Sequence, residues 1–177
     1  MNKQTLQALL IATDLSQRLR SAIDFGAAVT LLMLLSAIAV GGINHYVAQA
    51  QLTEAFMLST TVKGELITYR AQHGHWPPAD AQLPVSALRD PESLGNYVDT
   101  MALGGGGALT STFQSEGLAQ SIQGRRLTLR PLVSPYDSSA PVAWVCGANR
   151  HPEPLTPSGN DETNIEPEAL PSICRND

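Results

Sequence analysis

Cys146 and Cys174 are the residues whose chemistry the sequence most clearly sets up. They are the only two cysteines, both lie in the C-terminal quarter, and an even count permits one disulfide. The competing reading is a pair of free or buried thiols in a reducing compartment, and choosing between them requires the orientation of the chain. Other reactive types are present without a supporting pattern. His73 and His75 stand two apart, with His45 and His151 distant in sequence. A metal centre needs three or four convergent ligands, so this spacing reads as a loop pair and not as a metal site. Gly104 to Gly107 opens no helix and makes no phosphate cradle. No Gly-x-Ser-x-Gly elbow gathers a serine, histidine and acid. Glu153, Asp161, Glu162, Glu166 and Glu168 fit no calcium loop and read as a solvated face. The sequence thus points to a non-enzymatic chain with no cofactor and no metal. Its net charge of -5 offers no basic face for nucleic acid.

The elements that would position the cysteines start from the opposite end. Residues 25–43 carry no charge, which matches the roughly 20 residues a membrane span requires. The uncharged core is longer than that of a secretory signal, although Ala48-Gln49-Ala50 has the small-x-small form a signal peptidase uses. Lys3, Arg18 and Arg20 precede the apolar run, and the next basic residue is Lys63. The positive-inside bias places the N-terminus in the cytoplasm and exports the rest. An exported head meets oxidising conditions, which favours the disulfide over free thiols.

Helical periodicity continues past the span. Leu52, Ala55, Phe56, Ser59, Val62, Leu66 and Tyr69 recur at three and four residues, a stripe that needs a packing partner. One helix is expected from Ser21 to about Gln72, with Gly41-Gly42 as a candidate bend and Trp76-Pro77-Pro78 as the stop. Residues 1–19 read as an unstructured leader in preference to a short amphipathic helix. Residues 79–107, with Pro84 and Pro91, read as loop enclosing a short strand near Asn96 to Val98. Alternation predicts strands at Ala108 to Gln114 and Arg126 to Leu132, with a third at Val142 to Cys146. Gly124 and the stretch from Ser134 to Ala140 supply turns, and the proline-containing tail from Gly147 is expected to lack regular structure.

The residues carry a resemblance. Tyr46 through Ala55 is similar to the Tyr-x-Ala-x-x-Gln-x-x-Glu-Ala run of the type IV pilins. Tyr69 through Pro77 resembles that family's Tyr-x-x-x-x-Gly-x-Trp-Pro helix end, and Gly95 to Val98 resembles its Gly-x-Tyr-Val. Gly124 to Leu129, Trp144 to Gly147 and Leu170 to Arg175 follow in the family's order. The resemblance implies an α+β fold: a long N-terminal helix packed on a small antiparallel sheet, with a C-terminal loop closed by Cys146 and Cys174. It divides the chain into a cytoplasmic leader (1–24), the transmembrane half of the helix (25–43) and a periplasmic or extracellular head (44–177). It implies a pilus subunit in the bacterial inner membrane, polymerising with other pilin subunits through the assembly machinery. Phe25, Leu31, Leu34, Leu35 and Ile38 would pack the polymer, and adhesion, motility or DNA uptake would be the family's roles.

The N-terminus departs from the family pattern. Leu19 stands where the resemblance implies the glycine before the processing cut, Arg20 replaces the aromatic residue after it, and Asp24 replaces a glutamate. Gly41 stands in place of a mid-segment proline. Leu19–Arg20 therefore reads as uncleavable, with Gly26 as an alternative cut site. Arg20 and Asp24, one turn apart, are expected to pair within the chain and set the register of assembly. A chain that keeps its leader suggests the alternative function, an inner-membrane accessory protein that binds pilins and modulates their assembly.

Overall fold

The computed structural model describes residues 3–79, 94–137, 140–147 and 149–175. One helix, α1, runs over Lys3–His73. The strands are β1 (Val98–Leu103), β2 (Leu109–Phe113), β3 (Arg126–Val133), β4 (Ala143–Cys146) and β5 (Thr156–Pro157). The chain forms two compact units, Met1–Ile43 and Asn44–Asp177.

The first unit is helical from Lys3, so the leader is not the unstructured segment its composition suggested. Extending an existing helix by a residue costs far less than nucleating a new one, and the leucines of the leader keep helical spacing. The helical hydrogen-bonding pattern also continues through Gly41 and Gly42. Each glycine costs up to about 1 kcal/mol relative to alanine, less than leaving a backbone amide unsatisfied in an apolar medium.

The second unit is built on residues 44–73 of α1. Its periodic stripe is buried, with Ala48, Leu52, Ala55, Ser59 and Leu66 at 0% exposure. The strands form an antiparallel sheet in the order β1-β2-β3-β4, with β5 pairing the end of β3. Alternation sorts the strand residues onto two faces. Phe113, Leu127 and Leu129 pack with Leu52 and Ala55 in one cluster. Leu103, Leu109 and Met101 pack with Val62 and Leu66 in another, flanked by Trp76 and Trp144. Removing these apolar side chains from water is what holds helix and sheet together.

Three strands lie where alternation put them. β1 does not: it starts at Val98, and Asn96 and Tyr97 belong to the preceding turn. A bulge between Val98 and Thr100 places Asp99 out of register, which breaks the alternation by which β1 would have been recognised. Pro84 and Pro91 lie outside the described residues. The tail is irregular apart from β5, two short 3₁₀ turns at Pro167–Ala169 and Ser172–Cys174, and a chain of hydrogen bonds to the sheet.

That chain of bonds runs along the part of β3 that β4, paired only with Leu129–Leu132, leaves free. Thr128, fully buried, shares a hydrogen bond with Thr110 at 3.0 Å. The backbone N–H of Thr128 donates to the Thr163 hydroxyl at 3.0 Å, and the Glu162 N–H donates to the Thr128 hydroxyl at 3.1 Å. Asn164 accepts from the Arg126 N–H through its side chain at 2.6 Å and donates its own N–H to the Arg126 carbonyl at 3.1 Å. The backbone edge of β3 at Arg126 and Thr128 is thus paired by the tail, which also buries Ile165, Ala169 and Leu170 in the cluster around Leu52 and Ala55.

At the end of α1, Trp76 is seated by a glycine. Gly107 has φ +80°, and a Cβ there would come within 2.7 Å of the Trp76 ring. Gly107→Ala combines left-handed strain with a steric clash. Its expected effect is a loss of about 1–3 kcal/mol, read from the urea midpoint by tryptophan fluorescence of the full chain in detergent. An unchanged midpoint would contradict this packing.

Candidate assembly site

Three features of the chain bear on assembly: the apolar part of α1, the clamp that joins α1 to the sheet, and the closure of the tail. In the apolar part, Phe25 is 73% exposed, Leu31 58%, Leu34 65%, Leu35 55% and Ile38 74%. Leu31, Leu34, Leu35 and Ile38 follow i, i+3, i+4, i+7 spacing and share one face of the helix. The most apolar stretch has a mean hydropathy of 2.2 with none of it buried, and the helix is long and apolar enough to cross a membrane. A helix that is apolar on every side and unburied by its own chain must be covered by lipid or by other helices.

The expected Arg20–Asp24 ion pair is not formed among the described residues. The pair on this stretch is Arg18 with Asp14, at 3.0 Å. Both pairings span i,i+4, but the favourable order places the acid N-terminal to the base, as in Asp14–Arg18 and opposite to Arg20–Asp24. Arg20 and Asp24 are exposed on α1. Gly26 is open on its surface, with no atom within 4 Å of where a Cβ would stand.

The clamp sits on the head's part of α1. One carboxylate oxygen of Glu54 accepts from the backbone N–H of Tyr97 at 2.7 Å and of Asn96 at 2.9 Å. Gln51, three residues earlier and therefore on the same face, accepts from the Ala119 N–H at 2.9 Å. Gly95 lets the loop come this close. Its φ is +77°, and a Cβ there would lie 2.5 Å from the Glu54 carboxylate. Two side chains of α1 thus hold the loop entering β1 and the loop between β2 and β3. Sequence reasoning recorded Gln51 and Glu54 only as part of the Tyr46–Ala55 run. Acceptors for backbone amides more than 40 residues away leave no local pattern to read.

Along the same helix, the Lys63 ammonium lies 5.3 Å from the Trp144 ring centre, and Trp144 meets Trp76 edge-on at 6.4 Å. Desolvation lowers the Lys63 pKa below its ordinary value. The Arg70 guanidinium lies 4.8 Å from the Trp76 ring.

Cys146 and Cys174 are bonded, with Cα atoms 4.8 Å apart, and both are buried. The bridge fastens the last turn of the tail to β4. Arg130 of β3 reaches into the enclosed loop, where it donates to the Gly147 carbonyl at 2.9 Å and pairs with Asp161 at 3.4 Å. Arg126 pairs with Glu162 at 3.3 Å, partly exposed and therefore weakly stabilising. The acidic tail is not simply a solvated face, since two of its carboxylates meet arginines of β3.

A long N-terminal helix, apolar and exposed in its first part and packed by its second on a small antiparallel sheet with a disulfide-closed tail, is the pilin architecture. The pilin family model (bacterial filament) matches residues 48–175. Among curated relatives, the chain is 30% identical over 163 residues to the type IV major pilin protein PilE1 of Neisseria gonorrhoeae, covering 86% of this chain and 84% of that one. It is also 30% identical over 157 residues to the fimbrial protein EcpC of Eikenella corrodens, with 87% and 88% coverage. A fimbrial protein of Neisseria meningitidis serogroup A is 27% identical over 161 residues, with 86% and 91% coverage. The chain belongs to the pilin family, whose members are structural proteins.

Two variants test the head. Glu54→Ala leaves two backbone donors without their acceptor and is expected to cost about 1–3 kcal/mol, with earlier hydrogen exchange at Asn96 and Tyr97 than elsewhere in the sheet. Uniform exchange in that variant would count against the clamp. Cys174→Ser releases a loop whose closure is worth about 3–4 kcal/mol in the chain-entropy model. Limited proteolysis should then cut within residues 149–173 while α1 survives, and an unchanged digest would contradict the role given to the bridge.

Proposed function

We propose that this protein is a structural subunit of a type IV pilus, held in the bacterial inner membrane by residues 25–43 before assembly and polymerising through the same segment. The supporting observation is the combination of an apolar half-helix left uncovered by the described residues with a head whose own share of α1 is buried against its sheet. Lipid covers that half-helix in the reservoir state, and neighbouring copies cover it in the filament. Both environments remove the same side chains from water, so transfer between them is cheap in apolar terms.

In this reading the N-terminus is cytoplasmic and the head periplasmic, in keeping with the basic residues before the span and a disulfide beyond it. The leader corresponds to residues 1–24, the span to 25–43 and the head to 44–177. Phe25, Leu31, Leu34, Leu35 and Ile38 supply the packing surface. Arg20 and Asp24, oppositely charged and not paired with each other, set the register by meeting their counterparts on an adjacent copy. Other pilin subunits and the assembly machinery are the partners, and adhesion, motility and DNA uptake are the roles such a filament serves. Relatives named as a major pilin and as fimbrial proteins favour a filament subunit over an unprocessed accessory protein.

The test is an intact mass of the protein from sheared filaments and from membranes of a host with a working prepilin peptidase. Recovery in the filament fraction is expected. A mass lacking residues 1–26 would place the cut after Gly26, and one lacking 1–19 would place it after Leu19. Full-length protein confined to membranes and absent from filaments would overturn the subunit reading in favour of the accessory one.

A further inference from the structure

The end of α1 gathers three rings that the assembly reading does not use. The Tyr69 and His73 rings are stacked with centres 4.0 Å apart, the His75 ring meets Tyr69 edge-on at 5.9 Å, and the two imidazole centres are 6.2 Å apart. Both histidines are exposed, His73 as the last residue of α1 and His75 just beyond it.

The hydrogen bonds of the two imidazoles decide what they offer. The His73 Nδ1 lies 2.9 Å from the Tyr69 carbonyl oxygen, and the His75 Nδ1 lies 2.9 Å from the Trp76 carbonyl oxygen. A carbonyl oxygen only accepts, so each Nδ1 carries the proton and donates it. In the neutral imidazole this leaves the lone pair on Nε2 of both rings. An Nδ1–H held by a backbone carbonyl is the arrangement that fixes the tautomer and orients a histidine ligating metal through Nε2.

We propose that His73 and His75 form an exposed two-imidazole site for a divalent transition ion of the Cu²⁺, Ni²⁺ and Zn²⁺ group. Two ring nitrogens each about 2.1 Å from one ion hold their ring centres roughly 4.6 Å apart at a right angle, about 5.3 Å at the tetrahedral angle and about 6.5 Å when opposed, and the observed 6.2 Å falls at the wide end of that span. Imidazole is a preferred ligand for these three ions, with Cu²⁺ the tightest. The ion would sit at the helix C-terminus, where the unpaired carbonyl ends favour positive charge. Arg70, the cation nearest in sequence, has its guanidinium over the Trp76 ring. Among the described residues no group of three or more histidine, cysteine or acidic side chains could hold a metal. Two imidazoles fall short of the three or four protein ligands of a structural centre, so the proposed site is an open, exchangeable one whose remaining positions would be left to water. This inference goes beyond the subunit reading and does not depend on it.

The measurement is Cu²⁺ titration of the full-length chain in detergent micelles, followed by quenching of Trp76, whose residue adjoins His75. Saturable quenching at roughly micromolar Cu²⁺ with one ion per chain is expected. His73→Gln and His75→Gln should each raise the apparent Kd about tenfold or more, while His45→Ala and His151→Ala leave it unchanged. Because His73 and His75 are exposed, these variants keep the fold, and the far-ultraviolet circular dichroism of each should match the parent. Absence of saturable binding would overturn the proposal. So would quenching that survives in both glutamine variants.

Discussion

The rest of the structure depends on one constraint: α1 must satisfy two environments along a single helix. Between Ala48 and Leu66 its stripe is removed from solvent by the chain's own sheet. Between Phe25 and Ile38 the large apolar side chains are more than half exposed, and none of the described residues covers them. The first condition makes the head a folded domain. The second makes the chain incomplete until lipid or other helices surround it. At about 25 cal/mol per Å² of apolar surface, leaving that segment in water is strongly unfavourable.

The head meets its side of this constraint with a small core and many specific bonds. Hydrophobic packing of α1 on the sheet sets the gross arrangement but does not fix the loops at the sheet's entrance. Glu54 and Gln51 do that through backbone amides of residues 96, 97 and 119. At the free edge of β3, the tail supplies hydrogen-bond partners and is then fastened at its end by the disulfide. Each device adds specific bonds to the limited apolar core of a small domain, one at the loops beside α1 and the other at the free edge of β3.

Much of the fold was legible in the sequence because it rests on periodicity. The stripe from Leu52 to Leu66, the strands β2, β3 and β4, and the pairing of the cysteines follow from spacing, alternation and compartment. What escaped was set by longer-range or opposing effects. β1 was hidden by the bulge at Asp99, and the helical leader by a composition that taken alone suits either state. The Arg20–Asp24 pair was expected from spacing without regard to the order of acid and base along the helix. Glu54 looks like an ordinary helical surface residue until the loop at Asn96 folds onto it. The tail's threonine and asparagine partners likewise acquire their meaning only when β3 is beside them.

The claim at the centre of this account is that residues 25–43 are covered by copies of the same segment in the filament. It is tested most directly by cysteine cross-linking with Leu31→Cys and Ile38→Cys in one chain, oxidised in assembled filaments. The two positions lie on one face of α1, two turns apart, and the native cysteines are already paired. A ladder of cross-linked dimers, trimers and higher species is the expected result. Filaments that contain the variant but yield only monomer on oxidation would show that this face does not meet its neighbours.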